Sequence, residues 1–223
     1  MAASPTWPTH IARSADGIHW RAVPVGALPP GLAIRAVVAT TTGFTVVVAL
    51  PVDADHNRAV ALQSVDGATW TGPYPLALAT ASAIILASTG PSWGATALVA
   101  ARSGFIATGQ VMGTPGRTVW WQSSNGRNWR ALPSYPPLGP TTCTAEGCGG
   151  QPNGVLVSDG RRMLALRGGA DAGVWTSSDG LAWQRLAITG DIPHEQATEA
   201  FLMPGGVLLS DGTATWFGYA EAR

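Results

Sequence analysis

Short apolar stretches rich in Val, Ile, Leu, Ala and Phe alternate along this chain with turns of Gly, Asp, Asn, Thr and Pro. Residues 34–39 lead through Thr41-Thr42-Gly43 into 44–50, and 96–101 lead through Arg102-Ser103-Gly104 into 105–110. In the same way 155–158 lead through Asp159-Gly160 into 162–167, and 199–203 through Pro204-Gly205-Gly206 into 207–210. The stretches are too short and too often broken by glycine for helices. Each pair predicts two antiparallel strands joined by a tight turn.

A second hairpin signal follows each of the first three pairs, and one precedes them all. Ser14-Ala15-Asp16-Gly17-Ile18-His19-Trp20, Ser64-Val65-Asp66-Gly67-Ala68-Thr69-Trp70, Ser123-Ser124-Asn125-Gly126-Arg127-Asn128-Trp129 and Ser177-Ser178-Asp179-Gly180-Leu181-Ala182-Trp183 all fit Ser-x-Asp/Asn-Gly-x-x-Trp. Asp-Gly and Asn-Gly tolerate the positive φ that tight hairpin turns need. The flanking segments therefore read as third and fourth strands of a repeating unit, with the tryptophans 50, 59 and 54 residues apart. A hairpin-bearing repeat of this length is the signature of a propeller blade. The expectation is an all-β chain, a β-propeller of four-stranded antiparallel blades, about four to five in number. Residues 1–223 form one domain: a partial N-terminal blade (9–24), full blades (33–74, 95–133 and 154–187) and a partial C-terminal blade (198–218). The last blade is expected to be shared between the termini, and an open arc completed by a second copy or by further sequence is the alternative. The four motif tryptophans are expected to fold back into the packing between strands or blades.

The motif resembles the Asp-box of bacterial neuraminidase repeats, the recurring hairpin of sialidase-type propellers, and the resemblance spans nearly the whole chain. It lacks the residue that the Asp-box carries between Asp and Gly, only Trp70 is preceded by Thr, and Asn125 replaces Asp in the third copy. The resemblance implies a structural role for Ser14, Asp16, Gly17, Trp20, Ser64, Asp66, Gly67, Trp70, Ser123, Asn125, Gly126, Trp129, Ser177, Asp179, Gly180 and Trp183. A sialidase would also need an arginine triad, a Tyr–Glu nucleophile pair and an acidic proton donor. Arg35 lies in a first strand without the family's surrounding segment. Neither the tyrosines (Tyr74, Tyr135, Tyr219) nor the glutamates (Glu146, Glu195, Glu199, Glu221) stand in a nucleophile context. The fold is implied without the catalytic residues.

Composition narrows the partners. Thirteen basic residues, every one arginine, balance thirteen acidic ones, so no polybasic patch invites nucleic acid or an anionic membrane. No uninterrupted apolar run is long enough for membrane insertion as a helix. The start of the chain lacks a signal peptide's charged and apolar regions. Cys143 and Cys148 pinch a glycine-rich loop and read best as a small disulfide, with free thiols or a metal site as alternatives. A disulfide favours an extracytoplasmic or cell-envelope setting in a bacterium.

Ligands are expected opposite the motif turns, on the face that collects the second-to-third strand loops and the crossovers between blades. The candidate binding residues there are Asp53, Asp55, His56, Trp93, Arg117, Asp171, Asp191, His194 and Glu195. Asp53-Ala54-Asp55-His56-Asn57 starts like a calcium loop but has Arg58 where glycine is needed and Ser64 where an acid is needed, so a solvated polar loop is preferred. Phosphate loops, metalloprotease helices and nucleophile elbows are absent from the sequence. No cofactor, metal or catalytic residue is expected. The reading is a non-catalytic module that binds a protein or a glycan. A diverged sialidase-type glycoside hydrolase, and a structural or assembly fragment of a larger propeller that could oligomerise if its ring is open, are the alternatives.

Overall fold

The computed structural model describes residues 11–14, 16, 18–23, 32–51, 57–77, 93–111, 117–132, 154–167, 173–187, 199–203, 206–210 and 213–219. All of the regular structure among them is β. A two-stranded ribbon comes first, made of β1 (Ile11–Arg13) and β2 (Arg21–Val23). Blade one contains β3 (Ala33–Thr40), β4 (Gly43–Pro51), β5 (Asn57–Ser64) and β6 (Thr71–Pro75). Blade two contains β7 (Trp93–Ala101), β8 (Gly104–Val111), β9 (Arg117–Ser123) and β10 (Arg130–Leu132). Blade three contains β11 (Gly154–Ser158), β12 (Met163–Arg167), β13 (Gly173–Ser177) and β14 (Gln184–Arg185). Blade four has three strands, β15 (Glu199–Met203), β16 (Gly206–Ser210) and β17 (Thr215–Tyr219). Within each blade consecutive strands pair antiparallel, in chain order. The architecture is a four-bladed β-propeller with the ribbon as an additional small sheet.

Period-two alternation gives every blade two apolar faces, and consecutive blades stack face to face. Val47, Ala59 and Ala61 of blade one pack with Leu98, Ala107, Val119 and Trp121 of blade two. The other face of blade two, through Val99, Ile106 and Trp120, packs with Leu156, Met163 and Ala165 of blade three. Blade three's remaining face, through Leu164, Leu166 and Val174, meets Ala200 and Leu209 of blade four. The first strands β3, β7, β11 and β15 contact one another in succession. A bulge between Ile34 and Ala36 reverses the alternation of β3. It puts Ile34 with Val46 and Val48 on one face, and Ala36 and Val38 with Val47 on the other.

Among the described residues the ribbon and blade four are separate sheets. One expectation is corrected here. Trp20, expected in the interior, is 63% exposed. Its ribbon has only two strands among the described residues, which leaves most of the indole surface in solvent. Trp129 is buried, whereas Trp70 and Trp183 are half-buried against the clusters of their blades.

Candidate functional site

The four Ser-x-Asp/Asn-Gly-x-x-Trp turns share one construction. The serine hydroxyl donates to the carboxylate or amide oxygen two residues on, at 2.9 Å in Ser14–Asp16, 3.0 Å in Ser64–Asp66, 3.2 Å in Ser123–Asn125 and 3.1 Å in Ser177–Asp179. The same serine oxygen accepts the glycine N–H in the last three copies, at 2.7 Å from Gly67 and 2.8 Å from Gly126 and Gly180. One Oδ1 atom then accepts two successive backbone N–H groups. They belong to Ile18 and His19, Ala68 and Thr69, Arg127 and Asn128, and Leu181 and Ala182, all at 2.8–3.0 Å. Asn125 can stand in for aspartate because the turn uses an oxygen acceptor, not a charge. The motif indole finishes the turn: the Nε1–H of Trp129 donates to the Gly126 carbonyl at 2.9 Å, and that of Trp183 to the Gly180 carbonyl at 3.2 Å. The buried Trp70 Nε1 has no such partner among the described residues.

These hydrogen bonds favour the charged form of each aspartate. The Thr69 and Ala68 N–H groups lower the Asp66 carboxyl to about 2, and the Ala182 and Leu181 N–H groups lower that of Asp179. Asp16 is also lowered, first by the His19 imidazole 2.6 Å from its Oδ2. A carboxylate whose pKa falls on folding stabilises the native state above its ordinary value near 4, and that stabilisation disappears as pH drops through the folded value. The urea midpoint of the wild type should therefore fall between about pH 4 and pH 2. In an Asp66→Asn, Asp179→Asn variant, whose amide oxygens keep the acceptor, it should fall less. Parallel midpoint curves for the two proteins would show that these turns do not set the acid response.

The turns also join blades. Gln63 on β5 donates through Nε2 to the Asn125 carbonyl of the next blade at 2.7 Å, and its Oε1 accepts from the Arg127 Nε at 3.0 Å. One blade further on the link is relayed: Gln122 Nε2 reaches the Ser103 hydroxyl at 3.4 Å, which donates to the Asp179 carbonyl at 3.0 Å. Arg127 also lies over the Tyr74 ring, 5.9 Å from its centroid. At this end the polar groups of the turns are occupied by their own backbone and by the neighbouring blade.

The opposite ends of the strands carry the other candidates. Trp93 and Arg117, expected in loops, instead belong to β7 and β9, because the ladder of blade two runs to the last residues before the 112–116 connection. Trp93 pairs with Val111, and Val111 with Arg117, so these three stand in one row, two strand spacings or about 10 Å across. Neither residue's neighbour in sequence announced this meeting: the row depends on the register of two hairpins, one turning at Arg102-Ser103 and one between 111 and 117. Asp53, Asp55, His56, Asp171, Asp191, His194, Glu195, Gly17 and the Cys143–Cys148 pair lie outside the described residues. Among the described residues no three His, Cys, Asp or Glu side chains cluster as a metal site would require.

Solved structures with a similar trace include two that are distant in sequence. One represents the GH130 family of mannoside phosphorylases, described as containing glycoside hydrolases that target β-1,2 mannosidic linkages in Candida mannan. It is 16% identical with a TM-score of 0.45, over 78% of this chain and 58% of that one. Another is a candidate glycoside hydrolase from Parabacteroides distasonis, 13% identical with a TM-score of 0.42, over 78% of this chain and 59% of that one. This chain thus spans less than two thirds of the length of either. No protein-family model and no curated protein matches the sequence.

Proposed function

We propose that this chain is a non-catalytic propeller of the Asp-box type that binds a glycan or a protein at the strand ends opposite its motif turns. One observation carries the reading: the two ends of the blades are built for different purposes. At the motif end the hydroxyl and carboxylate groups are consumed in closing the turns and joining blades. At the other end Trp93, Val111 and Arg117 hold one register row across β7, β8 and β9, and in this proposal that row supplies an indole and a guanidinium to the ligand. An indole offers a flat apolar surface for the face of a sugar ring, and a guanidinium takes a carboxylate by two parallel hydrogen bonds. In this proposal Asp53, Asp55 and His56, which come after β4 in the chain, and Asp171, which comes after β12, extend the surface. The setting proposed is outside the cytoplasm.

The test is a glycan array and a pull-down with the intact chain, each repeated with Trp93→Ala and Arg117→Ala. Binding that drops at least tenfold in both variants, without loss of the β-sheet circular dichroism signal, is the expected result. Silence from folded wild-type protein in both assays would overturn the reading. Release of sugar from an aryl sialoside by the wild type would replace it with the hydrolase alternative.

A further inference from the structure

The chain's charges balance overall, but the fold sorts them. Neighbouring strands run antiparallel, so the turn between the first and second strands of a blade lies at the same end as its motif turn. In blades two and three these turns and the residues beside them carry Arg102, Arg127, Arg130, Arg161 and Arg162. Arg162 is half-buried and the other four are exposed. The same turns hold two acids, Asp159 and Asp179, and each spends a carboxylate oxygen on two backbone N–H groups of its own turn. Among the described residues none of the five guanidiniums forms an ion pair. The even totals predicted no basic patch; the order of the turns makes one.

Contacts between the two blades draw these residues onto one surface. The Ser158 hydroxyl donates to the Ala100 carbonyl, and the Ser103 hydroxyl to the Asp179 carbonyl at 3.0 Å. Arg102, between Ala100 and Ser103 in the chain, therefore sits where blade two meets the turns of blade three. Arg130 is tied to the same place. Its Nε and Nη2 donate to the Gln122 Oε1 at 3.2 and 2.6 Å, and the Gln122 amide reaches the Ser103 hydroxyl. Arg127, on the side toward blade one, is held through its Nε by Gln63. A neutral amide fixes a guanidinium without cancelling its charge, so both side chains are oriented and still cationic.

We propose that the motif end of blades two and three binds an acidic polysaccharide through carboxylate or sulfate groups repeated along the sugar chain. A guanidinium takes either anion by parallel hydrogen bonds, and a long polyanion meets several arginines at once. What this surface lacks selects the polymer. The polar groups of the motif turns are bonded to their own backbone, so a peptide finds no main chain here to pair with. Trp129 is buried, and the Trp183 indole is turned in on the Gly180 carbonyl, so these motif rings offer no open platform for a nucleic-acid base. A chain held by its own repeated charges needs neither. This site is independent of the one proposed at the opposite strand ends.

The experiment is fluorescence anisotropy with labelled oligosaccharides of equal length, one of heparin and one of polygalacturonate, titrated with the intact chain at low salt. Saturable binding to at least one of them, weakening as salt rises, is the expected result, and the tighter of the two names the preferred anion. The double variant Arg102→Gln, Arg161→Gln should weaken it by about tenfold or more. Arg35→Gln, Arg58→Gln is the control. Both of its arginines are exposed and stand near the starts of β3 and β5, at the opposite strand ends. It removes the same charge and should leave this binding unchanged. Arg127→Gln serves if the first pair perturbs the sheet, and circular dichroism checks folding throughout. Equal losses in the two double variants would overturn the proposal, because they would report net charge and not a site. So would tighter binding of polyglutamate or of a single-stranded oligonucleotide, or no binding by folded wild type.

Discussion

Replacing Trp121 by alanine should lower the unfolding free energy by about 3–5 kcal/mol, the range for emptying a buried aromatic site. Trp121 has no exposed surface and sits in the cluster where blade one meets blade two, between Val47 and Ala61 on one side and Leu98 and Val119 on its own. Its indole N–H donates to the Ala77 carbonyl at 2.8 Å. The substitution therefore opens a cavity and also strands an acceptor, and the two effects act in the same direction. Trp121→Phe keeps most of the volume and loses the hydrogen bond, so it should fall between alanine and wild type. Trp20→Ala supplies the contrast. That ring is mostly in solvent, and its removal should change stability by no more than about 0.5 kcal/mol. Urea or guanidinium midpoints of the three variants measure the ordering. A Trp121→Ala protein within about 1 kcal/mol of wild type would mean that the first blade interface is not the packed core described above.

The contrast between these two tryptophans marks what could be read from the chain. The hairpins were legible because turn chemistry is local: Ser and Asp at fixed offsets close the same loop in a two-stranded ribbon as in a four-stranded blade, as Ser14 and Asp16 show. The alternation that marks β4, β8 and β12 as strands is equally local. Burial is a property of neighbours. Phe201 and Val99 have the same place in the same repeat and the same apolar character, but Val99 is buried against blade three whereas Phe201 is 53% exposed. No pattern within β15 distinguishes the two cases.

The candidate site was legible only in part, for a related reason. Trp93 and Arg117 could be assigned to the correct end of blade two from the order of strands. Their common row depended on the register of two hairpins, β7–β8 through Arg102-Ser103 and β8–β9, and a single bulge, such as the one between Ala95 and Ala97, can shift it. The interblade role of Gln63 and Gln122 was missed altogether. A glutamine just before the motif serine has no local task, and its meaning appears only when the next blade brings the Asn125 carbonyl or the Ser103 hydroxyl within reach.

Gly180→Ala should destabilise the protein by about 2–5 kcal/mol, although it adds a single methyl group to a turn. Two costs combine. Gly180 has φ of 76°, a left-handed conformation that costs an L-residue about 1–2 kcal/mol. An added Cβ would also lie 2.7 Å from the Ile106 Cγ1, 2.8 Å from its Cδ1 and 3.2 Å from the Met163 Cε. Ile106 belongs to blade two and is fully buried, so the methyl would push between blades, and overpacking of that kind costs about 1–3 kcal/mol. Gly160 separates the two contributions. Its φ is 83°, and an added Cβ there would meet nothing within 4 Å, so Gly160→Ala should show the backbone cost alone. Denaturant midpoints for the pair, with Gly180→Ala the lower, are the expected result. Equal midpoints would mean that Ile106 yields without strain, and that the motif turn of blade three is not wedged against blade two.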